Sequence, residues 1–522
     1  MKSLSADRPL RRRDLLVLFI LALLTALAVA ALQPVPGYMD AAYYYAGGLA
    51  LARRLGFQEP FLWNYLDHPQ SLPHPSHSYW YPLASLAAAG GMTLLGRTDF
   101  AAARLLFVLA AALSPPLTAL LAWRLSSRRG VALTAGWLAV FSGYYLPFIA
   151  TTDNYSFYLL FGTLYFLLLA GRWRFLTPFG LGLLAGLLNL ARSDGLLWLP
   201  LTLSAVLFFP PRPACRCLGA AGMALLLALT GYLLVMGPWF WRNLQVFGAP
   251  LPPGGRYVLW MTEYGQIFSF RPERFTFQAW LAAGWESALA ARLEAFAQNL
   301  GTAFAAQGLI FLAPLIAAGA WQRRREKIVR LAACGWLLLL LAESLLFPFA
   351  SVRGGFFHAG AAFQPLWFVL APLGLDELVA RSRLRRLGGA LQASLALMAV
   401  LFSLFLVQVR VVASGWNEGE YVYRQAEAFL VGAGALPGEV VMTRNPPAYY
   451  VMTGRPAIVI PNEGVPEALA AARRFEARYL VLERPGPSGA LRDLYDHPEN
   501  YSGFDYLGEL DETRIFRILL SP

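Results

Sequence analysis

The first 411 residues alternate long apolar runs with short basic segments. About 20 apolar residues suffice for a helix to cross the hydrocarbon core of a bilayer. We predict eleven transmembrane helices, at residues 15–32, 100–123, 131–149, 155–170, 176–191, 195–209, 218–237, 301–320, 328–347, 360–375 and 388–409. The pattern therefore indicates an all-α polytopic membrane module over residues 1–411.

The basic segments between these runs predict the orientation of the module, because cytoplasmic loops are enriched in lysine and arginine. With eleven spans, five basic loops lie on the same side of the membrane as the N-terminus. Their basic residues are Arg124/Arg128/Arg129, Arg172/Arg174, Arg212/Arg216, Arg323–Arg325/Lys327 and Arg381/Arg383/Arg385/Arg386. If the apolar segment 81–95 also crossed the membrane, these basic loops would lie on the side opposite the N-terminus. We therefore predict a re-entrant or surface helix at residues 81–95. The N-terminus is then cytoplasmic, and the loops 33–99 and 238–300 are extracytoplasmic.

The first apolar run follows several basic residues and has the general form of a signal peptide. Gln33-Pro34-Val35-Pro36 is a poor small-residue cleavage site, and more spans follow. We therefore predict an uncleaved anchor in the cytoplasmic membrane.

The tail at residues 412–522 has an ordinary composition and predicts a small extracytoplasmic α/β domain. Strand-like runs lie at 439–443, 457–460 and 479–483, a helix-like run lies at 466–475, and 513–519 is a candidate edge strand. The tail contains neither a glycine-rich phosphate loop nor a nucleophile elbow, which argues against a catalytic role for it.

Composition agrees with a membrane protein, since 57% of the 522 residues are hydrophobic and only 14% are charged. A soluble domain has about 25% charged residues. The net charge of +12 comes mostly from arginines placed between apolar runs, a pattern that reports topology and gives no indication of a nucleic-acid partner. The three cysteines, Cys215, Cys217 and Cys334, are not placed for an extracytoplasmic disulfide.

Asp40 is the single carboxylate in the tyrosine-rich stretch at residues 36–55, directly after the first span. A charge so close to a bilayer is costly and commonly has a function or faces water. The apolar positions that follow, with Arg53 and Arg54 off their stripe, predict a helix lying on the membrane. The alternative role for Asp40 is an N-cap of that helix.

Asp153 lies in the sequence Thr151-Thr152-Asp153-Asn154-Tyr155, at the predicted outer mouth between two spans. There it could face Asp40 across a cavity, and two converging acids suggest acid/base chemistry or cation binding. The alternative is again a helix cap, here for the helix that begins near Tyr155.

Three arginines on the predicted outer side are candidate ligands for a phosphate, because the planar guanidinium matches its oxygens. Arg192 is followed by Asp194 in a turn that divides an apolar stretch, Arg242 follows Pro238-Trp239, and Arg353 precedes His358. The alternatives are an ordinary polar turn for Arg192 and interfacial or headgroup contacts for the other two arginines.

His68, His74 and His77, together with Asp67, lie within ten residues of one another in the first outer loop. Such spacings occur in zinc sites, although the intervening prolines also fit an irregular loop without metal. We therefore predict no cofactor, while a divalent metal remains an alternative.

Taken together, these residues resemble the GT-C glycosyltransferase superfamily, in particular its bacterial protein-mannosyltransferase-like and aminoarabinose-transferase-like branch. The similarity covers most of the chain. Its elements are Gly37-Tyr38-Met39-Asp40, Tyr79-Trp80-Tyr81-Pro82-Leu83, Ala103-Arg104-Leu105-Leu106, Asp153, Ala191-Arg192-Ser193-Asp194-Gly195, Pro238-Trp239 with Arg242-Asn243, and the tail run at 449–456. A Lys-Pro-Pro motif of the aminoarabinose-transferase pattern is absent from the first outer loop, so that substrate cannot be carried over.

The resemblance implies transfer of a sugar, with inversion, from a polyprenyl-phosphate donor to a hydroxyl acceptor outside the cytoplasmic membrane. It implies Asp40 as general base and Asp153 as a supporting acid. The donor phosphate would be bound by outward cationic and hydrogen-bonding residues, namely Arg353, Arg242, Arg192 and His358. Further substrate contacts are assigned to Tyr44, Tyr79, Trp80 and Asp194.

Two other functions compete with the enzyme. A flippase or transporter for a polyprenyl-linked sugar would be expected to place polar residues in broken helices at mid-membrane, whereas here they gather at the outer ends of the spans. A membrane scaffold whose tail binds a partner leaves the outer acids and arginines unexplained. The sugar and the chemical class of the acceptor, whether protein, lipid or glycan, stay open.

Overall fold

A computed structural model describes residues 9–208, 218–382, 386–486 and 489–520. The first ten helices are α1 Arg12–Ala31, α2 Met39–Ala52, α3 Leu83–Leu95, α4 Phe100–Ala103, α5 Leu105–Ser126, α6 Arg129–Val140, α7 Tyr155–Ala170, α8 Thr177–Ala191, α9 Trp198–Phe208 and α10 Leu218–Phe247. The remaining helices are α11 Phe277–Ala282, α12 Trp285–Thr302, α13 Ala313–Gln322, α14 Lys327–Leu345, α15 Pro348–Val352, α16 Gly355–Gly360, α17 Gln364–Ala380, α18 Gly388–Val407, α19 Glu418–Gly432, α20 Pro446–Thr453, α21 Val465–Phe475 and α22 Arg492–Asp496.

Several of these helices can cross a membrane. Within the described ranges, five are long and apolar enough by length and composition: Arg12–Ala31, Phe100–Ser126, Gly219–Phe247, Lys327–Leu345 and Gly388–Val412. Shorter apolar helices include Leu83–Leu95, Arg129–Val140, Tyr155–Ala170, Thr177–Ala191 and Ser193–Phe208. The polytopic helical architecture agrees with the sequence, and the count of eleven spans stays a prediction.

The predicted continuous helix at 301–320 is wrong. The chain leaves α12 through a π-helical turn at Ala303–Gln307, and Leu309 and Ile310 then have positive φ angles of 44° and 59°. Helix α13 begins only at Ala313. Pro314 suits the first turn of a helix but not its interior, so the apolar run is divided into two helices.

Of the other predicted spans, two end far from the predicted boundary. Helix α6 ends at Val140, and a 3₁₀ helix follows at Gly143–Phe148, where Gly143 has a φ of 63°. Helix α10 continues through Pro238 to Phe247, so the aromatic residues predicted to open the second outer loop are helical.

Helix α2 is buried by protein along most of its length, contrary to the predicted surface helix. It packs against α3 and α20. Gly47 and Gly48 permit this approach, because a Cβ on either would lie 2.5 or 2.6 Å from Ser85 or Ala88. The first outer loop is therefore part of the folded core.

Arginines of two predicted basic loops contact helix ends that are distant in sequence. Arg129 forms an ion pair of 2.7 Å with Asp14, and Arg128 pairs with Asp376 at 2.8 Å. Arg323 donates a hydrogen bond to the carbonyl of Leu125 at 2.9 Å. Arg212, Arg216, Cys215, Cys217, Arg383 and Arg385 lie outside the described residues.

A reporter fusion tests the predicted orientation. We expect a reporter fused after Pro522 to behave as extracytoplasmic, and reporters fused after Arg325 or Arg383 to behave as cytoplasmic. Paired alkaline phosphatase and fluorescent protein fusions measure the two states. A cytoplasmic signal from the tail fusion would contradict the placement of Asp40 and Asp153 on the outer side.

The short strands β1 Gln58–Glu59 and β3 His74–Pro75 pair with each other in the first outer loop. A six-stranded sheet has the order β2-β5-β4-β6-β8-β7 and is built mainly from the tail. Its strands are β2 Phe61–Leu62, β4 Val440–Thr443, β5 Ala457–Val459, β6 Ala477–Glu483, β7 Phe504–Leu510 and β8 Thr513–Ile518.

The predicted edge strand near the C-terminus, β8, lies inside this sheet, and β7 forms the edge. At the opposite edge, β2 from the first outer loop runs parallel to β5. The domain boundary at residue 411 stays a prediction, although the sheet joins segments from both of its sides.

Candidate active site

Asp40 lies in the first turn of α2, whose N-cap is Tyr38 and has no side-chain cap hydrogen bond. The carboxylate is therefore not the cap of this helix. Gly37 precedes the cap with a φ of 82°, a conformation that favours glycine. This turn directs the chain from α1 into α2 and brings Asp40 to the N-terminal end of α7.

Asp153 is 1% exposed and lies directly before α7. Its carboxylate accepts hydrogen bonds from the Tyr38 hydroxyl at 2.8 Å and from its neighbouring backbone, the Asn154 N–H, at 2.6 Å. His358 Nε2 lies 3.2 Å from Oδ2 of Asp153. The side chain is thus held by three groups and is not the cap of α7, which Asn154 occupies.

Asp40, Asp153 and His358 converge, as the sequence predicted for the two acids. One potential ligand atom of each lies within 4.8 Å of the others. His358 Nδ1 is 2.9 Å from the carbonyl of Gly354, and its ring stacks on Tyr155 at 4.2 Å. Nδ1 also lies 3.1 Å from the Tyr155 hydroxyl, so these contacts fix the ring with Nε2 towards Asp153.

The surroundings of Asp40 and Asp153 shift the pKa values of the two carboxyl groups in opposite directions. Burial and the negative charge of Asp153 raise the pKa of Asp40 to about 6, against the opposing charges of His358 and Arg192. Burial also acts to raise the pKa of Asp153, but the charge and hydrogen bond of His358 and the hydroxyl of Tyr38 outweigh it and lower that pKa. Asp153 is therefore the permanent anion, and Asp40 is the stronger base.

Arg192 and Asp194 form one side of the site. Arg192 Nε donates to Asp194 Oδ2 at 2.8 Å, and the Tyr158 hydroxyl donates to Asp194 Oδ1 at 2.8 Å. Glu343, 5% exposed in α14, has these two charged residues as neighbours. Glu343 was not predicted as a site residue, although a carboxylate within an apolar run is a signal for such a position.

Arg353 and Tyr264 form a more exposed part of the site. The guanidinium of Arg353 lies 4.8 Å from the centroid of the Tyr264 ring. Burial and the charge of Asp40 raise the pKa of Tyr264, while Arg353 acts to lower it, which places this ring near both residues. Tyr264 was not predicted, since its loop carries no motif that points to the site.

Three of the four predicted substrate residues, Tyr44, Tyr79 and Asp194, belong to this group, and the ring of Trp80 contacts Tyr44 and Tyr79. Tyr44 has Asp153, Arg192 and Asp40 as charged neighbours, and Tyr79 also has Asp40 and Arg192 among its neighbours. Trp80 stacks on Trp63, with ring centroids 3.9 Å apart.

Arg242 lies in another cluster. Its guanidinium donates to the carbonyl of Ser76 at 2.8 Å and packs over the rings of Trp239 and Phe247 at 4.9 and 4.8 Å. His358, also assigned to the phosphate, contacts Asp153. The roles of both residues stay predictions.

The histidines of the first outer loop do not converge within the described part of the chain. His74 pairs with Asp67 at 2.6 Å, and His68 bonds the Tyr257 hydroxyl at 2.7 Å. His77 is buried, with Nδ1 3.1 Å from the carbonyl of Trp80. Of the residues described, the group that could hold a metal is Asp40, Asp153 and His358.

Comparison with known proteins finds similarity in fold. No protein-family model and no curated protein sequence matches the chain. The apo oligosaccharyltransferase of Archaeoglobus fulgidus matches with a TM-score of 0.59 and 13% identity, over 93% of this chain and 70% of that one. ArnT from Cupriavidus metallidurans bound to undecaprenyl phosphate matches with a TM-score of 0.57 and 13% identity, over 97% of this chain and 98% of that one. The chain therefore shares its mostly helical fold with these two proteins.

Proposed function

We propose that the protein is an integral membrane glycosyltransferase. It moves a sugar from a polyprenyl-phosphate donor to a hydroxyl acceptor on the extracytoplasmic side, with inversion at the anomeric carbon. The observation that carries this proposal is the convergence of Asp40, Asp153 and His358 in a GT-C-like fold. Two proteins with this fold were solved with undecaprenyl phosphate and with dolichol-phosphate, which supports a lipid-phosphate donor.

Asp40 is the general base of the proposed reaction. The acceptor hydroxyl gives its proton to the Asp40 carboxylate while its oxygen attacks the anomeric carbon opposite the donor phosphate. The bond from that carbon to the phosphate oxygen breaks, and the lipid phosphate leaves with the bonding electrons. A base with a pKa of about 6 serves this step better than an ordinary carboxylate, since it binds the proton more strongly.

Asp153 positions and tunes the base. Its charge raises the pKa of Asp40, and its hydrogen bond from Tyr38 fixes the turn that precedes α2. His358 Nε2 lies 3.2 Å from Oδ2 of Asp153 and helps to hold this carboxylate in place. Asp153 therefore acts through Asp40, as a supporting acid.

Arg353 is the best placed cation for the donor phosphate. Arg192 is already paired with Asp194, and this contact neutralises much of its charge. The Arg353 side chain is exposed beside Tyr264, and the described residues include no ion-pair partner for it. A planar guanidinium that is not neutralised can donate two hydrogen bonds to a phosphate.

A divalent cation fits the same three residues. Two carboxylates and an imidazole suit zinc or manganese, and Nδ1 of His358 is already anchored on Gly354. One of the oligosaccharyltransferase structures is a complex with Zn and sulfate. Such a cation would supply positive charge near the donor phosphate, while Asp40, Asp153 and His358 would hold it.

A transfer assay tests the proposed function. Purified protein in lipid nanodiscs is incubated with a radiolabelled polyprenyl-phosphate sugar and an envelope extract that supplies acceptors. An enzyme releases free lipid phosphate and labels the acceptor fraction, whereas a transporter or a scaffold leaves the donor intact. An intact donor, tested across several sugars with and without Mn²⁺ or Zn²⁺, would contradict the proposal.

The acidity of Asp40 predicts the pH dependence of transfer. Since the base must be unprotonated, the rate should rise with pH through about 6 and fall at lower pH. Asp153→Asn removes the charge that raises the pKa of Asp40, so the rise should move to lower pH. The maximal rate should fall by less than the roughly 100-fold that is the low end of a general base's contribution, because Asp153 orients the base and does not itself accept the proton.

Steady-state rates in chelator-treated protein measure this profile. His497→Gln is the control, because His497 lies in the tail and pairs with the exposed Glu499. A rise at the same pH in Asp153→Asn as in wild type would contradict the electrostatic coupling. Complete loss of wild-type transfer in the chelator would assign the three residues to a required cation.

A further inference from the structure

The segment after the last long helix returns to the turn that precedes Asp40. A π-helical turn at Gln408–Val412 ends α18, and α19 begins at Glu418. Trp416 and Glu420, on either side of this start, both contact the chain between α1 and α2. The C-terminal region thus touches the link on which the position of Asp40 depends.

Trp416 packs directly on this link. Its indole N–H donates to the carbonyl of Val35 at 3.2 Å, and its rings meet Tyr38 edge to face at 5.5 Å. A Cβ on Gly37 would lie 2.1 Å from the indole nitrogen. Position 37 therefore requires glycine both for the close approach of Trp416 and for its positive φ.

Glu420 fixes the direction of the same turn. The backbone N–H of Gly37 donates to Oε1 of Glu420 at 2.8 Å, and the side chain is 3% exposed. Its second oxygen, Oε2, is buried and has no hydrogen-bond partner in the described structure. A buried carboxyl with a single hydrogen bond is costly, so this contact is a poor device for stability alone.

The contact reaches the active site in two steps. Gly37 is followed by Tyr38, whose hydroxyl bonds Asp153 at 2.8 Å and Thr151 at 3.2 Å. Asp40 follows two residues later in the first turn of α2. A shift of the Gly37 peptide would therefore change the position of the Asp40 carboxylate relative to that of Asp153.

We propose that Glu420 and Trp416 are positioning residues for Asp40, so that the C-terminal region holds the proposed catalytic base in place. This inference rests on the proposed function for its kinetic consequence. Misplacement by about 1 Å can cost about 100-fold in rate without loss of binding. The C-terminal region therefore contributes to turnover without contacting the sugar.

The test compares Glu420→Ala with Glu420→Gln. The alanine removes the acceptor of the Gly37 N–H, whereas the glutamine retains a carbonyl oxygen of the same reach. We expect Glu420→Ala to lower kcat by about 10- to 100-fold with little change in donor KM, and Glu420→Gln to recover most of the rate. Glu439→Ala is the matched control, because Glu439 accepts a backbone N–H from Leu436 in the same region, away from Gly37.

Hydrogen exchange provides a readout that does not depend on transfer. Residues 36–45 should lose protection in Glu420→Ala and keep it in Glu420→Gln and Glu439→Ala. Wild-type kcat with unchanged protection in Glu420→Ala would overturn the proposal, as would an equal loss in both Glu420 variants. If the wild type transfers no sugar, selective loss of protection still supports positioning, and the proposed function alone fails.

A second variant covers the case in which Glu420→Ala does not fold. Trp416→Phe keeps an aromatic ring beside Tyr38 and removes the N–H that bonds Val35. A fall in kcat with unchanged donor KM and reduced protection of residues 36–45 would support the proposal. Wild-type kcat and protection in this variant would overturn it.

Discussion

Asp40→Asn is expected to slow sugar transfer by at least about 100-fold, the lower range of what a positioned general base contributes. Asparagine keeps the shape of the side chain and removes the oxygen that accepts the proton. Since Tyr38 is the N-cap of α2, loss of a cap cannot account for a slower rate. The protein should insert, melt and bind the donor lipid like wild type. Initial rates under saturating donor measure the effect.

Asp99→Asn is the matched control for this substitution. Asp99 caps α4 by accepting the N–H of Ala102 at 2.9 Å, and asparagine is an equally good N-cap. The control should transfer sugar at the wild-type rate. If Asp40→Asn also transfers at that rate, Asp40 is structural, and Asp153 becomes the leading candidate for the base.

Local sequence signals predicted the parts of the fold in which one run of residues determines one element. Helix α7 has the predicted bounds, and α14 and α18 differ by a few residues, because apolar length alone specifies a helix of membrane depth. The apolar run at 301–320 failed because composition does not show where a helix is interrupted. Pro314 was the local signal for that interruption.

Pairings between distant segments could not be predicted in this way. Strand β2 has two residues, and its place beside β5 depends on a partner almost 400 positions later. Strand β7 was not predicted at all, and β8 was predicted as an edge strand because its pairing with β7 leaves no signal in the run at 513–519. Such pairings between strands are visible only in the three-dimensional structure.

The site residues also divide into those that a local sequence signal predicted and those that only the structure identifies. Asp40 and Asp153 were predicted because an acid at the end of an apolar run is conspicuous, and both lie in one cluster with His358. Tyr38 and Tyr264 were missed as site residues, since tyrosines are common throughout this chain. Arg242 resembled the other arginines in sequence, yet its partners place it in the aromatic cluster around Trp239.

Arg353→Lys is expected to reduce the use of the donor by about 1.5–3 kcal/mol, the contribution of hydrogen bonds to a charged group. This corresponds to a fall of roughly 10- to 100-fold in kcat/KM for the donor. Lysine keeps the positive charge beside Tyr264 but loses the planar fork that can bind two phosphate oxygens. A side chain that only reaches towards lipid headgroups would be replaced by lysine without consequence.

Arg256→Lys is the control for this substitution, because Arg256 also stacks on a tyrosine, Tyr257, at 4.7 Å, in the loop that carries Tyr264. It should leave kcat/KM unchanged. Donor titrations with both variants, at fixed acceptor, separate the two roles. An unchanged donor dependence in Arg353→Lys would move the phosphate contact to Arg192, whose ion pair with Asp194 would then have to open when the donor binds.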